Sequence, residues 1–261
     1  MLLDEFENSR AIIEPFGHGR DEEFEICDTM IFSFNGEIVD RVKQLPESHE
    51  GGYLKSLNGR HPWYIYEKDE LKVAVMLATI GAPMAVMHLE VLKSSGFKRF
   101  VVLGSSGVLD KSIAADKIIL PSSALRDEGT SYHYAPASDE ISYDPASLLT
   151  MEEALDQAGI ERVRGKSWTT DAFYRETADK VKRRLAAGAQ VVDMEASAIM
   201  AWAQFRQAEV YQFFYTADYV DHHNNEWDKR KGERQADCMV FFDVAMAIAR
   251  KVEMKNDQII V

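Results

Sequence analysis

The chain has 261 residues, of which 46% are hydrophobic and 28% charged, and a formal net charge of −13 at pH 7. This length and balance are typical of a globular protein with a sizeable core. The negative charge argues against a broad nucleic-acid or anionic-membrane surface, and no apolar run approaches the roughly 20 residues of a membrane span.

The first residues and the cysteines predict a cytoplasmic protein. The N-terminus, MLLDEFENSR, is acidic and lacks a signal-peptide pattern, so we expect no export. Cys27 and Cys238 are the two cysteines, and they form neither a CxxC pair nor a disulfide framework.

Strands and helices are predicted to alternate through the centre of the chain. Strands are predicted at 71–79, 98–104, 116–123, near 161–168, at 189–195 and at 209–218. Helices are predicted at 83–96, 145–159, 173–187, 196–208 and 233–254. We therefore predict an α/β fold, a single domain over residues 1–261, with a mostly parallel, mixed central sheet flanked by helices on both faces.

Small, hydroxyl and acidic residues gather where these strands end. Gly81 follows the first strand, the GSSG stretch at 104–107 follows the second, and Asp218 ends the last. Asp193 and Glu195 stand two apart at the end of an apolar run, and two such residues on one strand point to the same side. Because ligands of such sheets bind at the carboxyl ends of strands, we predict a polar pocket there.

Two glycine turns at these strand ends suit a small anion. GSSGVLD offers Gly104, Ser105 and Ser106 as close backbone and hydroxyl donors, and Gly81 in TIGAP could form the opposite wall. GSSGVLD is not a P-loop, because no Gly-Lys-Ser/Thr follows. A turn without a ligand and a plain helix start are the competing interpretations.

Two further stretches carry polar side chains. RDEGTSYHYAP (126–136) includes Arg126 and His133, and an internal ion-pair network is the alternative to a binding role. DYVDHH (218–223) invites a metal interpretation. Its adjacent histidines point apart, however, and no third ligand follows at a known spacing, so we predict no metal site.

Taken together, these motifs resemble the nucleoside phosphorylase superfamily, which includes purine nucleoside phosphorylases, uridine phosphorylases and related nucleosidases. The matching stretches cover roughly residues 71–221 in family order: IGAP, VLGSSGVLD, LRDEGTSYHY, WTTDAFYRET, VVDMEASA and TADYVD. Residues 1–70 match poorly. The resemblance implies cleavage of the N-glycosidic bond of a nucleoside, with phosphate as co-substrate and no cofactor. It also implies a homo-oligomer, either a dimer or a trimer of dimers.

The resemblance also implies roles for individual residues. Glu195 would accept hydrogen bonds from the sugar hydroxyls and stabilise the positive charge that develops on the sugar, with Met194 packed on the sugar and Asp193 close by. Asp218 would protonate or hydrogen-bond a departing purine. Implied binding residues are Phe173, Tyr174 and Arg175 for the base, and Gly81, Gly104, Ser105 and Ser106 for phosphate.

The resemblance leaves the base and the nucleophile open. RDEGTSYHY looks closer to uridine phosphorylases, whereas Asp218 favours a purine because the uridine-specific branch lacks an acid there. The phosphate arginines of the family are not matched: Val102 replaces one, Arg41 is a shifted candidate for another, and Arg60 is the nearest to the one that a neighbouring subunit supplies.

Hydrolysis is therefore an alternative to phosphorolysis. Nucleosidases of the superfamily use a glutamate after the first strand to activate water, and Glu37 is close to that position. A solvated residue at a helix start is the competing interpretation of Glu37. A non-catalytic nucleoside-binding relative is a third alternative.

Overall fold

A computed structural model describes residues 2–15, 24–233 and 236–257. The remaining residues of the predicted 1–261 domain lie outside the described residues. No described helix combines enough length with enough apolar side chains for a membrane span.

The strands of the described residues join one sheet of eleven strands. They are β1 (Thr29–Ser33), β2 (Ser48–Ser56), β3 (Gly59–Lys68), β4 (Leu71–Leu77), β5 (Arg99–Val108), β6 (Ile118–Asp127), β7 (Glu140–Ser142), β8 (Arg162–Thr170), β9 (Ala189–Asp193), β10 (Glu209–Asp221) and β11 (Glu226–Asp228). The α-helices in the same residues are α1 (Gly36–Val42), α2 (Ala82–Ser95), α3 (Pro145–Ala158), α4 (Ala178–Ala186), α5 (Ala196–Arg206) and α6 (Cys238–Asp257).

Local sequence explains where the helices begin and end. Helix α2 carries proline in its first turn, where a missing N–H costs nothing, and it stops at Gly96 with φ 123°. Helix α3 begins where the Asp144 carboxylate accepts from the Ser147 N–H, and it ends at Gly159 in the left-handed region.

The sheet is mixed, as expected, and part of it closes into a ring. Parallel pairs join β1 to β4 and β5, β5 to β10, β6 to β8, and β8 to β9. Antiparallel pairs join β10 to β6 and β9 to β5, so that β5, β10, β6, β8 and β9 form a closed circuit. This circuit brings the ends of strands that are distant in sequence to one place.

Helices cover both faces of the sheet, which confirms the predicted layering. Along β1, Met30 and Phe32 belong to a core cluster with α2 and α5, whereas Ile31 between them belongs to a cluster with α1, α3 and α6. Alternate side chains of one strand therefore pack against helices on opposite sides.

Two expectations about the strand ends were wrong. Residues 104–107 continue strand β5 instead of turning, because neither Gly104 nor Gly107 has a positive φ and the strand hydrogen bonds extend to Val108. Strand β9 ends at Asp193, so Glu195 is not on it. The Asp193 carboxylate accepts from the N–H groups of Glu195 and Ala196, which turns the chain directly into helix α5.

Two helix boundaries also differ. The predicted helix at 173–187 is divided into a 3-10 turn at Phe173–Arg175 and helix α4, because Thr177 is extended with ψ 153°. The last helix begins at Cys238, after Asp237 accepts from the Met239 N–H, and not at residue 233. Residues 234–235 of that prediction lie outside the described residues.

Candidate active site

A cavity of about 490 Å³ lies where β5, β9 and β10 come together. Its lining includes Ser105 from β5, Glu195 from the start of α5, and Asp218 from β10. These residues come from three separate parts of the sequence. The predicted gathering of strand-end residues around one pocket is therefore present in the fold.

Both carboxylate oxygens of Asp193 accept hydrogen bonds from the surrounding protein. Its Oδ1 accepts from the hydroxyls of Ser167 at 2.6 Å and Thr169 at 2.9 Å. Its Oδ2 accepts from the backbone N–H groups that open α5. Burial raises the pKa of Asp193, and these four donors oppose that effect. The carboxylate thus fixes the β9–α5 turn that presents Glu195.

A buried hydrogen-bond network connects this turn to the RDEGTSYHY stretch. The Thr169 hydroxyl also accepts from the Ser197 N–H, and the Ser197 hydroxyl donates to Glu128. Glu128 in turn accepts from the backbone N–H of Ser131, whose hydroxyl accepts from the Arg126 guanidinium. The structure thus places this stretch in an internal network behind the cavity.

Glu195 is buried at the edge of the cavity, with 8% of its surface exposed. Its Oε1 accepts from the Gly81 N–H at 2.6 Å. Burial, and then the charge of Asp193, raise the pKa of Glu195 to about 8. Near neutral pH this carboxyl is therefore largely protonated, and hydroxyl donors or a developing positive charge would favour its ionised form.

We expect Glu195→Gln to stabilise the fold in a pH-dependent way. The pKa of Glu195 is about 8 in the folded protein, above the value near 4.5 that we take for the unfolded chain. Protonated Glu195 therefore contributes its full stability to the fold below pH 4.5, and this contribution is lost as pH rises through about 8. Glutamine does not titrate and keeps an acceptor for Gly81. Denaturant titrations should show little difference near pH 5 and a gain of a few kcal/mol above pH 8. A difference that is constant with pH would contradict this explanation.

A bulge in β10 aims Asp218 at the cavity. The β10–β5 register shifts between Thr216 and Tyr219, so that two residues of β10 face Gly107 of β5. Asp218 is half-buried, and its Oδ2 accepts from Trp227 Nε1 at 2.5 Å. The partner comes from β11, the strand that pairs antiparallel with the end of β10.

Gly107→Ala should disturb this bulge. A Cβ at Gly107 would lie 2.9 Å from Val192 Cγ1, so the Val192 side chain or strand β9 must shift, and 3.8 Å from Asp218 Oδ1, which is an ordinary contact. We expect a loss of about 1–3 kcal/mol in urea unfolding. The control is Gly232→Ala, where a Cβ would have no atom of the described residues within 4 Å. Equal stabilities of the two variants would show that the close approach is unimportant.

Aromatic side chains form another wall. Phe173 and Tyr174 both line the cavity, with ring centroids 3.9 Å apart, and they are 46% and 85% exposed. Met194 lines it as well. Exposed rings at the mouth of a cavity offer a flat apolar surface to a planar ligand.

Several predicted site residues do not line this cavity. Arg175 is exposed on the 3-10 turn, and Glu37 is exposed at the start of α1, beside Cys238. His133 lines a second cavity of about 1200 Å³. Gly81 reaches the site through its hydrogen bond to Glu195. Ser106 is buried with a hydroxyl that has no partner among the described residues, next to the lining residue Ser105.

The candidate phosphate arginines are engaged in other interactions. Arg41 pairs with Asp237 at 2.5 Å. Arg60 pairs with Glu50 at 2.6 Å and lies over the Tyr53 ring. Val102, which replaces another of these arginines, is buried in β5. None of these side chains contributes positive charge to the cavity.

The cavity is strongly acidic. Among the described residues no lysine or arginine lines it, whereas six carboxyl side chains do: Glu176, Asp193, Glu195, Asp218, Asp221 and Glu226. Sequence reasoning missed Glu176 and Trp227. Glu176 belongs to the quoted DAFYRET stretch, but its position in the cavity depends on the turn that separates it from α4. Within the described part of the chain, no cluster of three or more His, Cys, Asp or Glu residues could hold a metal.

Comparison with known sequences gives a family match. A family model described as "Phosphorylase superfamily" matches residues 30–248. A guanosine phosphorylase of Halorubrum lacusprofundi is 25% identical over 183 residues, covering 70% of this chain and 75% of the relative. A uridine phosphorylase of Treponema pallidum is 30% identical over 105 residues, covering 40% and 41%. For several curated relatives, the match spans less than two thirds of their length.

Comparison with solved structures gives the same fold. A crystal structure of purine nucleoside phosphorylase from Toxoplasma gondii in complex with immucillin-H superposes with a TM-score of 0.68 at 17% identity. The superposition covers 86% of this chain and 88% of that one.

Proposed function

Because this chain belongs to the phosphorylase superfamily, we propose that it cleaves the N-glycosidic bond of a purine nucleoside with phosphate, releasing the base and ribose 1-phosphate. The observation that carries this proposal is the single cavity lined by both Glu195 and Asp218. The names of the relatives, guanosine and uridine phosphorylases, support the same reaction class.

The two carboxyls would act on opposite parts of the substrate. As the C1′–N9 bond breaks, its electron pair moves to the base and positive charge builds on the sugar, which Glu195 and Met194 would hold. Asp218 would hydrogen-bond or protonate N7 of the departing purine, since an unprotonated purine anion is a poor leaving group. A phosphate oxygen would then form the new bond to C1′. Phe173 and Tyr174 would pack on the base, and no cofactor takes part.

The nucleophile end of the cavity lies along strand β5. Gly104 and Ser105 line it, with Ser106 behind, and no cation of the described chain is present to hold a phosphate dianion. We propose that a neighbouring copy in a homo-oligomer supplies the positive charge.

Hydrolysis is the second candidate, favoured by one observation. The six carboxyls and the lack of a lining cation among the described residues suit water better than an anionic nucleophile. Glu37 is not positioned to activate that water, since it does not line the cavity. A hydrolase would need another base.

One assay separates these candidates. Inosine, guanosine, adenosine and uridine are each incubated with the full chain, with and without phosphate, and free base is measured. Phosphorolysis predicts purine release that requires phosphate. Release that is indifferent to phosphate would replace the proposal with hydrolysis. Cleavage of uridine alone would contradict the purine assignment.

A further inference from the structure

Gln212 is a buried cavity residue that the reaction described above leaves unused. It lies on β10 with 1% of its surface exposed, and it lines the cavity together with Gly104 and Glu195. Among the described residues, its side-chain oxygen Oε1 has no hydrogen-bond partner. A buried acceptor without a partner is rare in proteins and costs free energy, so its presence beside a cavity points to a bound molecule.

The strand register places this amide at the nucleophile end of the cavity. Gln212 pairs with Val102 of β5, and Phe214, the next residue of β10 on the same face, pairs with Gly104. Paired residues on neighbouring strands lie about 5 Å apart and point to the same face. The side chain of Gln212 therefore starts beside Val102, the position at which the family resemblance implies a phosphate arginine.

The backbone of Gln212 is held in place by a buried tyrosine. Its N–H donates to the Tyr143 hydroxyl at 2.6 Å, and that hydroxyl donates to the Val210 carbonyl at 2.7 Å. The terminal amide, in contrast, turns about a soft torsion, so either its oxygen or its NH₂ group can face a ligand. Gln212 thus offers an acceptor and a donor from a fixed point of the strand.

We propose that Gln212 selects a nucleophile that carries a proton. An amide presents an acceptor next to N–H donors, and its complement is a group with an O–H beside an acceptor oxygen. Inorganic phosphate keeps at least one P–O–H near neutral pH, whereas sulfate, an anion of the same shape, carries none. This inference rests on the proposed function, because it assumes that phosphate binds at the Gly104 end of the cavity.

The charges of the cavity favour the same ligand. Among the described residues, six carboxyl side chains and no lysine or arginine line it. Each proton on phosphate removes one negative charge and so reduces the repulsion from these carboxyls. A positive charge from a neighbouring copy would add affinity for phosphate and sulfate alike, and would leave the choice between them to Gln212.

The test compares the binding of anions with and without a proton. Phosphate, arsenate and sulfate are titrated calorimetrically into the wild type and Gln212→Met, near neutral pH and at constant ionic strength. Arsenate also keeps an O–H, so the wild type should bind phosphate and arsenate roughly 10-fold more tightly than sulfate, the effect of about one hydrogen bond. Methionine fills a similar volume without an amide, so Gln212→Met should bring this ratio close to one.

Gln204→Met is the matched control. Gln204 lies on α5 and does not line the cavity, and its Nε2 donates to the Ser142 carbonyl at 2.8 Å. This variant should retain the wild-type ratio of affinities. Thermal melts establish that each variant is folded, and Gln212→Met should be at least as stable as the wild type, because it removes a buried acceptor that has no partner.

The results separate this inference from the proposed function. A preference that survives in Gln212→Met overturns the role of Gln212, and so does a wild type that binds sulfate as tightly as phosphate or binds neither anion. Nucleoside cleavage that requires phosphate would still support the proposed reaction in that case. Anion selection through Gln212 in a protein that cleaves no nucleoside would support the inference and overturn the proposed reaction.

Discussion

Replacing Asp218 with asparagine is expected to lower kcat for inosine cleavage roughly 100- to 10,000-fold, the range that a positioned general acid contributes. The amide keeps the shape of the side chain and can still accept from Trp227 Nε1, which holds the native carboxylate. It supplies no acidic proton to N7. The affinity for the free base should therefore change much less than kcat.

A second substrate makes this experiment specific to the leaving base. In 7-methylguanosine the base already carries a positive charge and departs without protonation at N7. The variant should therefore cleave it at close to the wild-type rate. Equal losses on both substrates would show that Asp218 supports the fold or the sugar instead. Unchanged cleavage of inosine would remove Asp218 from the mechanism.

Replacing Asp193 with alanine is expected to lower the free energy of unfolding by roughly 3–5 kcal/mol, because it leaves buried hydrogen-bond donors without an acceptor. Two hydroxyls and two backbone N–H groups lose their acceptor at the β9–α5 turn. Glu195 begins that helix, so the catalytic rate of the remaining folded protein should also fall. Denaturant titration and steady-state kinetics measure the two effects.

Asp144→Ala provides a matched control for this variant. Asp144 also caps a helix, but among the described residues its side chain accepts only from the Ser147 N–H, at 2.7 Å. Its loss should cost about 1 kcal/mol, the usual effect of an N-cap. If the two alanine variants unfold at the same denaturant concentration, the hydrogen-bond network behind the cavity contributes nothing beyond an ordinary cap.

Hydrophobic patterning was sufficient to predict most of the elements. The runs at 71–79 and 98–104 became β4 and β5, and the helices predicted at 83–96 and 145–159 became α2 and α3. The closed circuit of strands could not be predicted, because it depends on β5 pairing with β1, β9 and β10 at once. Such long-range pairing leaves no periodic signal in the chain.

Sequence patterns predicted the part of the candidate site that lies near the strand ends. Glu195 and Asp218 were expected near each other and line one cavity. Their surroundings were not predictable, since the bulge opposite Gly107 and the Trp227 donor arise from strand pairing. The Arg126 guanidinium donates internal hydrogen bonds, which agrees with the internal network that the sequence left open as the alternative for this stretch.

A crystal structure of the complex with 9-deazainosine and phosphate tests the central claim most directly, because the carbon–carbon glycosidic bond of this nucleoside is not cleaved. We predict a sugar hydroxyl within about 3.2 Å of a Glu195 oxygen, and N7 within the same distance of an Asp218 oxygen. A nucleoside bound in reverse, or seated in the second cavity that His133 lines, would contradict the account.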